Sequence, residues 1–291
     1  MSKPKILLQL DSDPHCSVFD SVVAVDADVD QLFRHSGVTS DQVQALVHGC
    51  MFTRGPKDLY QTAIFVGGSN VVAGEELLAA VKRCFFGPMR VSVMMDANGA
   101  NTTAAAAVLA AARHLNLSES KVLVLAGTGP VGQRVARLLA GRGAEVVLAS
   151  RSYERAELAC DQIRERLPDA QLISAAADGP VKESNALNDV HAVISAGAAG
   201  IELLSAEARQ TAPNLRVAID LNAVPPVGLA GIEVMDRAME REGQICYGAI
   251  GVGGTKMKIH KAALRKLFTQ NDLVLDAEEI LDLGESLESE S

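Results

Sequence analysis

Glycines at 127, 129 and 132, in the run GTGPVG, have the spacing that brings backbone N–H groups against a pyrophosphate. An apolar strand pattern, KVLVLA, runs directly into Gly127. A helical pattern, VGQRVARLLAGRG, leaves the loop, and a second strand pattern, EVVLAS, follows it. In such a unit the first glycine makes the tight turn, the second lets backbone approach the phosphates, and the third lets helix and strand pack closely. The helix N-terminus adds free N–H groups and a partial positive charge. Gly127, Thr128, Gly129, Pro130, Val131 and Gly132 are therefore expected to cradle a dinucleotide.

The end of the second strand selects the nucleotide. An NAD site usually carries Asp or Glu there, to hold the ribose 2′-hydroxyl. This chain has Ser150, Arg151 and Ser152, with Arg155 a turn later. A guanidinium flanked by hydroxyls suits a 2′-phosphate, which a carboxylate would repel. NADP is the expected cofactor and NAD stays open, because Arg151 also reads as a solvated loop residue. Ala196 and Gly197, closing the strand pattern AVISAG, and Asn222, in DLNAVPPVG, complete the expected nucleotide side.

On the substrate side, DSDPHCSVFDSV (11–22) reads as a polar loop carrying Phe19 and Asp20. In DANGANTTAAAA (96–107) a strand gives way to amides and hydroxyls: Asn98, Asn101, Thr102 and Thr103 open an alanine-rich helix. In YGAIGVGGTKMKIHKAAL (247–264) a glycine-rich loop is expected to run into a helix where Lys256 and His260, four apart, share one face. Each has a plain alternative. Asn101 or Thr102 would serve as a helix cap, Lys256 and His260 as surface residues, and Phe19 as core.

Elements able to hold these residues are legible in outline. Strand patterns at 5–10, 62–68, 90–96, 121–127, 145–150, 171–176, 192–197 and 217–221 alternate with helix-length amphipathic stretches. That alternation predicts parallel sheets with crossover helices, an α/β fold. We expect an α/β substrate domain over 1–118 and a Rossmann-type nucleotide domain over 119–254. A helical segment over 255–291 would pack back toward the first domain and end in an acidic, frayed tail.

Composition excludes several function classes. The net charge is −9, and residues 276–291 hold seven acids and no base, so the rest is nearly neutral. Without a basic stripe, nucleic acid is not an expected partner. Five scattered cysteines with no CxxC pair argue against a disulfide framework or structural zinc, and no metal is expected. The most conspicuous apolar stretch, Ala104 to Ala112, stops at Arg113 and is too short to span a bilayer. No secretory pattern opens the sequence, so a cytoplasmic protein without a membrane partner is expected.

Taken together, SVFD (17–20), TAIFVGG (62–68), FFGP (85–88), DANGANTTAAA (96–106), VLAGTGPVG (124–132) and GGTKMKIH (253–260) closely resemble the methylene-tetrahydromethanopterin dehydrogenases of one-carbon-metabolising bacteria. The resemblance runs nearly end to end, through DAEEI at 276–280. It implies two α/β domains with a deep cleft, a fold related to the methylene-tetrahydrofolate dehydrogenases, and a homotrimer. The activity it implies is oxidation of a methylene carrier to the methenyl form with reduction of NADP, or of NAD as well, on the route from formaldehyde to formate. It would place Phe19, Thr102, Lys256 and His260 at the pterin, with Asp20, Asn98, Asn101 and Thr103 beside them.

These residue types suit that chemistry. The substrate carbon bridges two nitrogens whose lone pairs spread the positive charge as hydride departs, so no strong general base is required. A full ammonium beside that carbon would oppose hydride loss. Lys256 is therefore expected either to grip a polar edge of the carrier or to be neutral through burial. Bifunctional tetrahydrofolate enzymes carry a Tyr-x-x-x-Lys helix for cyclohydrolase chemistry; here Tyr60 is followed by QTAI, so no cyclohydrolase activity is expected. The alternatives are a methylene-tetrahydrofolate dehydrogenase and a non-catalytic NADP-binding protein. A shikimate-type enzyme would draw on Asp96 or Asp220, but the surrounding motifs fit it poorly.

Overall fold

The computed structural model describes residues 3–177, 179, 181 and 187–290. By contacts the chain divides into two compact units, Met1–Thr102 with Met257–Ser291, and Thr103–Lys256. The division falls inside a helix at 102/103, earlier than the expected 118. The reason is local: the start of that helix is hydrogen-bonded to the strand end before it, through Asp96.

The first part of the chain supplies β1 (Ile6–Asp11), α1 (Val18–Asp26), β2 (Gln31–His35), α2 (Val43–Phe52), β3 (Thr62–Gly67), α3 (Val71–Arg83), β4 (Ser92–Met95) and α4 (Ala100–Ala112). The second supplies β5 (Lys121–Leu125), α5 (Pro130–Gly141), β6 (Glu145–Ser150), α6 (Tyr153–Arg166), β7 (Leu172–Ala176), β8 (Ala192–Ser195), α7 (Ala206–Gln210), β9 (Val217–Asp220), β10 (Met239–Arg241) and β11 (Gln244–Tyr247). The chain ends with α8 (Ala249–Lys266), β12 (Val274–Leu275) and α9 (Ala277–Ser289).

Among the described residues, the first unit holds a five-stranded sheet in the order β12-β4-β3-β1-β2, parallel throughout. Strand order reverses between β1 and β3, whose register pairs Asp11 with Gly67 at the C-terminal edge. A seven-stranded sheet, β10-β11-β9-β8-β5-β6-β7, forms the second unit, parallel except for β10 on β11. Its order reverses between β5 and β8. In doubly wound sheets, ligands bind outside the strand ends at such reversals. This is the expected α/β architecture, with a Rossmann-type second unit.

Four local expectations need correction. Residues 18–26 form a helix rather than a polar loop: Ser17 caps it by accepting from the Asp20 N–H at 3.2 Å. Its pattern misleads because Val18, Val22 and Val25 are exposed while Ser21 is buried. The run GVGGT lies within α8, and Gly251 is there for close packing, since a Cβ would collide with the Asp236 carbonyl. The acidic tail is helical through Ser289, because Ala277, Ile280, Leu281 and Gly284 form one buried stripe. A reciprocal capping box between Asp276 and Glu279 starts that helix. Finally, β2, β10, β11 and β12 join the sheets although none stands out in the sequence. They are edge, short or polar strands whose pairing is decided by their neighbours.

Candidate active site

In the first unit the chemistry gathers at the C-terminal ends of β1, β3 and β4. Asp11 is fully buried; its Oδ1 accepts from the Asp13 N–H at 2.9 Å and its Oδ2 from the Ser17 N–H at 3.0 Å, fixing the start of α1. A Cβ on Gly67 would lie 3.5 Å from Asp20 Oδ2 and 3.6 Å from Asp11 Oδ2, so both carboxylates face that glycine. Burial pushes the Asp20 carboxyl above the usual carboxylate range. Neighbouring His260 and the Ser17 hydrogen bond pull it back, while Asp96 and Asp11 push it further.

Asp96, one residue beyond β4, organises the start of α4. Its Oδ1 accepts from the N–H groups of Asn101 and Thr102 at 2.9 and 3.0 Å, and its Oδ2 from the Thr102 hydroxyl at 2.6 Å. Asn101 donates to the Met95 carbonyl at 2.6 Å and to Asp276 Oδ1 at 2.9 Å. Asn101 and Thr102 are thus wholly buried ties that hold strand, helix and tail together. Asn98 is exposed in the left-handed region at φ 54°, which asparagine tolerates, and its N–H reaches the Gly68 carbonyl at 2.6 Å. Thr103 is half-buried one position further on.

His260, on α8, is buried against this cluster. Its ring stacks on Phe65 with centroids 5.7 Å apart and tilts toward Phe19 at 6.4 Å, and its Nδ1 lies 3.9 Å from Asp96 Oδ2. Phe19 remains 53% exposed, an aromatic face offered outward beside the buried rings. Lys256 is half-buried four residues before His260. The structure therefore brings Phe19, Asp20, Thr102 and His260 to one sheet edge. Asp11, Phe65 and the organising role of Asp96 are what sequence reasoning missed. A strand-final Asp followed five and six residues later by Asn-Thr was the available signal for Asp96.

In the second unit the glycine loop stands at the β5/β8 reversal. Gly127 and Gly132 are demanded by the protein itself. A Cβ on Gly127 would lie 2.6 Å from Leu148 Cγ, and one on Gly132 2.7 Å from Gly127 Cα. Gly129 differs: it caps α5 with an ordinary φ of −73°, and its Cβ would come no closer than 3.5 Å to any neighbour. No packing inside the chain requires a glycine there. Close approach by a diphosphate does, so the loop fits a dinucleotide. Pro130, at the first helical position, has no N–H to spend, and Val131 follows it into α5.

Ser150, buried at the end of β6, lies 3.3 Å from Thr128 Oγ1 and ties strand end to loop. Ser152 caps α6 by accepting from the Arg155 N–H, while Arg151 and Arg155 are exposed. Ala196, just past the end of β8, faces the loop, its carbonyl 3.9 Å from where a Gly129 Cβ would be. Gly197 is closed in by Leu203. Asn222 is buried and staples its own loop, donating to the Pro226 carbonyl at 3.3 Å and accepting from the Val224 N–H at 2.9 Å. Among the described residues no group of three or more His, Cys, Asp or Glu is arranged to hold a metal ion. Likewise no helix is long and apolar enough to cross a membrane.

Residues 18–98 match the family described as methylene-tetrahydromethanopterin dehydrogenase, N-terminal, and residues 108–236 match shikimate / quinate 5-dehydrogenase. The bifunctional protein MdtA of Methylorubrum extorquens is 45% identical over 99% of this chain and 100% of its own length. The NAD(P)-dependent methylenetetrahydromethanopterin dehydrogenase of the same organism is 32% identical over 90% of this chain and 91% of its own. Among solved structures, ligand-free 5-ketofructose reductase of Gluconobacter sp. strain CHM43 aligns with a TM-score of 0.52 at 12% identity. That alignment covers 98% of this chain and 99% of the other, a likeness of fold alone.

Proposed function

This chain belongs to the methylene-tetrahydromethanopterin dehydrogenase family, and from that premise we propose that it oxidises methylene-tetrahydromethanopterin to the methenyl form with NADP as hydride acceptor. The observation that carries the reading is relatedness across both units: the NAD(P)-dependent methylenetetrahydromethanopterin dehydrogenase of Methylorubrum extorquens is 32% identical over 90% of this chain. The glycine loop at the β5/β8 reversal and the cluster at the β1/β3 reversal supply the two binding chemistries it needs.

Bound NADP would supply a hydride acceptor at nicotinamide C4. The loop amides and the α5 N-terminus would hold its diphosphate, and Arg151 and Arg155 would hold its 2′-phosphate. Ser150, Ser152, Ala196, Gly197 and Asn222 shape the same rim. Phe19 packs on the pterin or its aryl arm, with His260 behind it on Phe65. Asp20, Asn98 and Thr103 take polar edge atoms of the ring. Asn101 and Thr102 act through Asp96, keeping the α4 start in place.

Catalysis in this reading would come from holding the carrier so that its bridging carbon faces the hydride acceptor that NADP would supply. The carboxylates gathered at these strand ends have the sign that favours a carbon turning cationic, while burial opposes ionisation of Asp20. Lys256 has the opposite sign and keeps some contact with solvent. Its role is therefore to grip a polar edge of the carrier away from the reacting carbon, and unchanged kcat/KM in Lys256→Met would overturn that role.

We propose no cyclohydrolase activity, since no Tyr-x-x-x-Lys helix is present; methenyl hydrolysis above the uncatalysed rate refutes it. A cytoplasmic homotrimer completes the reading, and a light-scattering mass checks the trimer. The deciding assay follows reduced nicotinamide with methylene-tetrahydromethanopterin, NADP and NAD in parallel, then repeats with methylene-tetrahydrofolate. Fast NADP reduction on the methanopterin carrier supports the proposal. Turnover of the folate carrier alone favours the tetrahydrofolate alternative. Nucleotide binding without turnover of either favours the non-catalytic one.

A further inference from the structure

Glu154 stands where the nucleotide reading does not want it. It lies in the first turn of α6, exposed, between Arg151 and Arg155. Its Oε2 accepts a hydrogen bond from Ser152 Oγ at 2.5 Å. The Ser152 hydroxyl in turn accepts from the Arg155 N–H at 3.3 Å. A serine has one hydroxyl proton, and here it is spent on a carboxylate.

Two effects follow for a nucleotide with its 2′ position beside Ser150, Arg151 and Ser152. A negative charge sits one hydroxyl away from any 2′-phosphate, opposing the two guanidiniums. The same carboxylate also withholds the Ser152 proton, which would otherwise be donated to a phosphate oxygen. Neither effect penalises a ribose 2′-hydroxyl, which is uncharged and can donate as well as accept. Among the described residues neither Arg151 nor Arg155 forms an ion pair, so the opposition comes through the Ser152–Glu154 pair rather than by sequestering the arginines.

We propose that Glu154 is a specificity-determining residue that holds the preference for NADP in check and keeps the site open to NAD. This rests on the dinucleotide reading of the glycine loop. An acid in the first turn of a helix also favours the helix dipole, so a purely structural role has to be separated by a readout that helix stability does not move.

The ratio of the dissociation constants for NADP and NAD is such a readout, measured by calorimetric titration of the full chain at low salt. Glu154→Gln removes the charge and keeps an acceptor for Ser152, whereas Glu154→Ala removes both. NADP should bind about threefold tighter to Glu154→Gln and tighter again to Glu154→Ala. NAD affinity should stay within about twofold, and added salt should narrow the difference for Glu154→Gln. An unchanged ratio in both variants, with both nucleotides still bound, overturns the inference and leaves the dinucleotide reading standing. If the unaltered chain binds neither nucleotide, the dinucleotide reading fails and this inference fails with it.

Discussion

His260 stacks on Phe65 with ring centroids 5.7 Å apart and planes inclined by 21°. One ring comes from the middle of β3 and the other from α8, about two hundred residues later in the chain. Both are almost completely buried, while Phe19 beside them is not. The stack therefore backs an aromatic ring that is itself about half exposed.

His260→Phe keeps an aromatic ring for the stack, slightly larger than the imidazole, and removes its polar nitrogens. The variant should fold with a Tm within a few degrees of the parent and lose at least about tenfold in kcat/KM for the methylene carrier. His260→Ala leaves a cavity and should cost about 3 kcal/mol in urea unfolding. Normal kcat/KM in His260→Phe would reduce His260 to a packing residue.

Thr102 and Asp96 test the scaffold. Thr102→Val removes the 2.6 Å hydroxyl bond to Asp96 and should destabilise by about 1–2 kcal/mol. Thr102→Ser restores the donor and should recover most of that loss. A carrier KM that rises in Thr102→Val and recovers in Thr102→Ser is expected if α4 positions the site.

Gly129 and Gly132 should separate binding from folding. A methyl at Gly132 would overlap the Gly127 backbone, so Gly132→Ala should lower Tm clearly. At Gly129 the nearest contact is an ordinary 3.5 Å, so Gly129→Ala should keep its Tm and lose nucleotide affinity. A calorimetric titration beside a thermal melt reads both, and normal NADP affinity in Gly129→Ala would contradict the cradle.

Arg151→Ala should weaken NADP binding by about tenfold, the loss of one charge-assisted contact, and leave NAD within about twofold. Equal losses for both nucleotides would remove Arg151 from 2′-phosphate recognition.

Asp20 carries a pH signature. Burial raises its carboxyl in the folded protein, so the folded chain retains that proton over a range in which the unfolded chain has lost it. Its contribution is full below the ordinary carboxylate value and is lost as pH rises through the raised one. Asp20→Asn cannot ionise. It should melt a few degrees above the parent near neutral pH, with the gap closing as pH falls toward about 4. A constant gap across that range would contradict the assignment.

The sequence by itself determined what depends on neighbours in the chain. GTGPVG between two strand patterns announced the turn from β5 to α5, because Gly127 and Gly132 answer to contacts made within that one unit. Strand-and-helix alternation announced both parallel sheets, because buried parallel strands are apolar runs. Residues whose roles depend on distant partners were not legible. The edge strand QLFRH is polar and pairs only because β1 is there to receive it. Helix α1 shows Val18, Val22 and Val25 to solvent, so its periodicity pointed the wrong way. The glycines of α8 looked like a loop because the Asp236 carbonyl that Gly251 makes room for lies some fifteen residues earlier in sequence. Above all, Asp96, Asn101, Asp276, Phe65 and His260 become one cluster only when β12 joins β4 and α8 lays His260 on Phe65. Tertiary packing decides that, since burying a carboxylate is tolerable only where several donors converge on it.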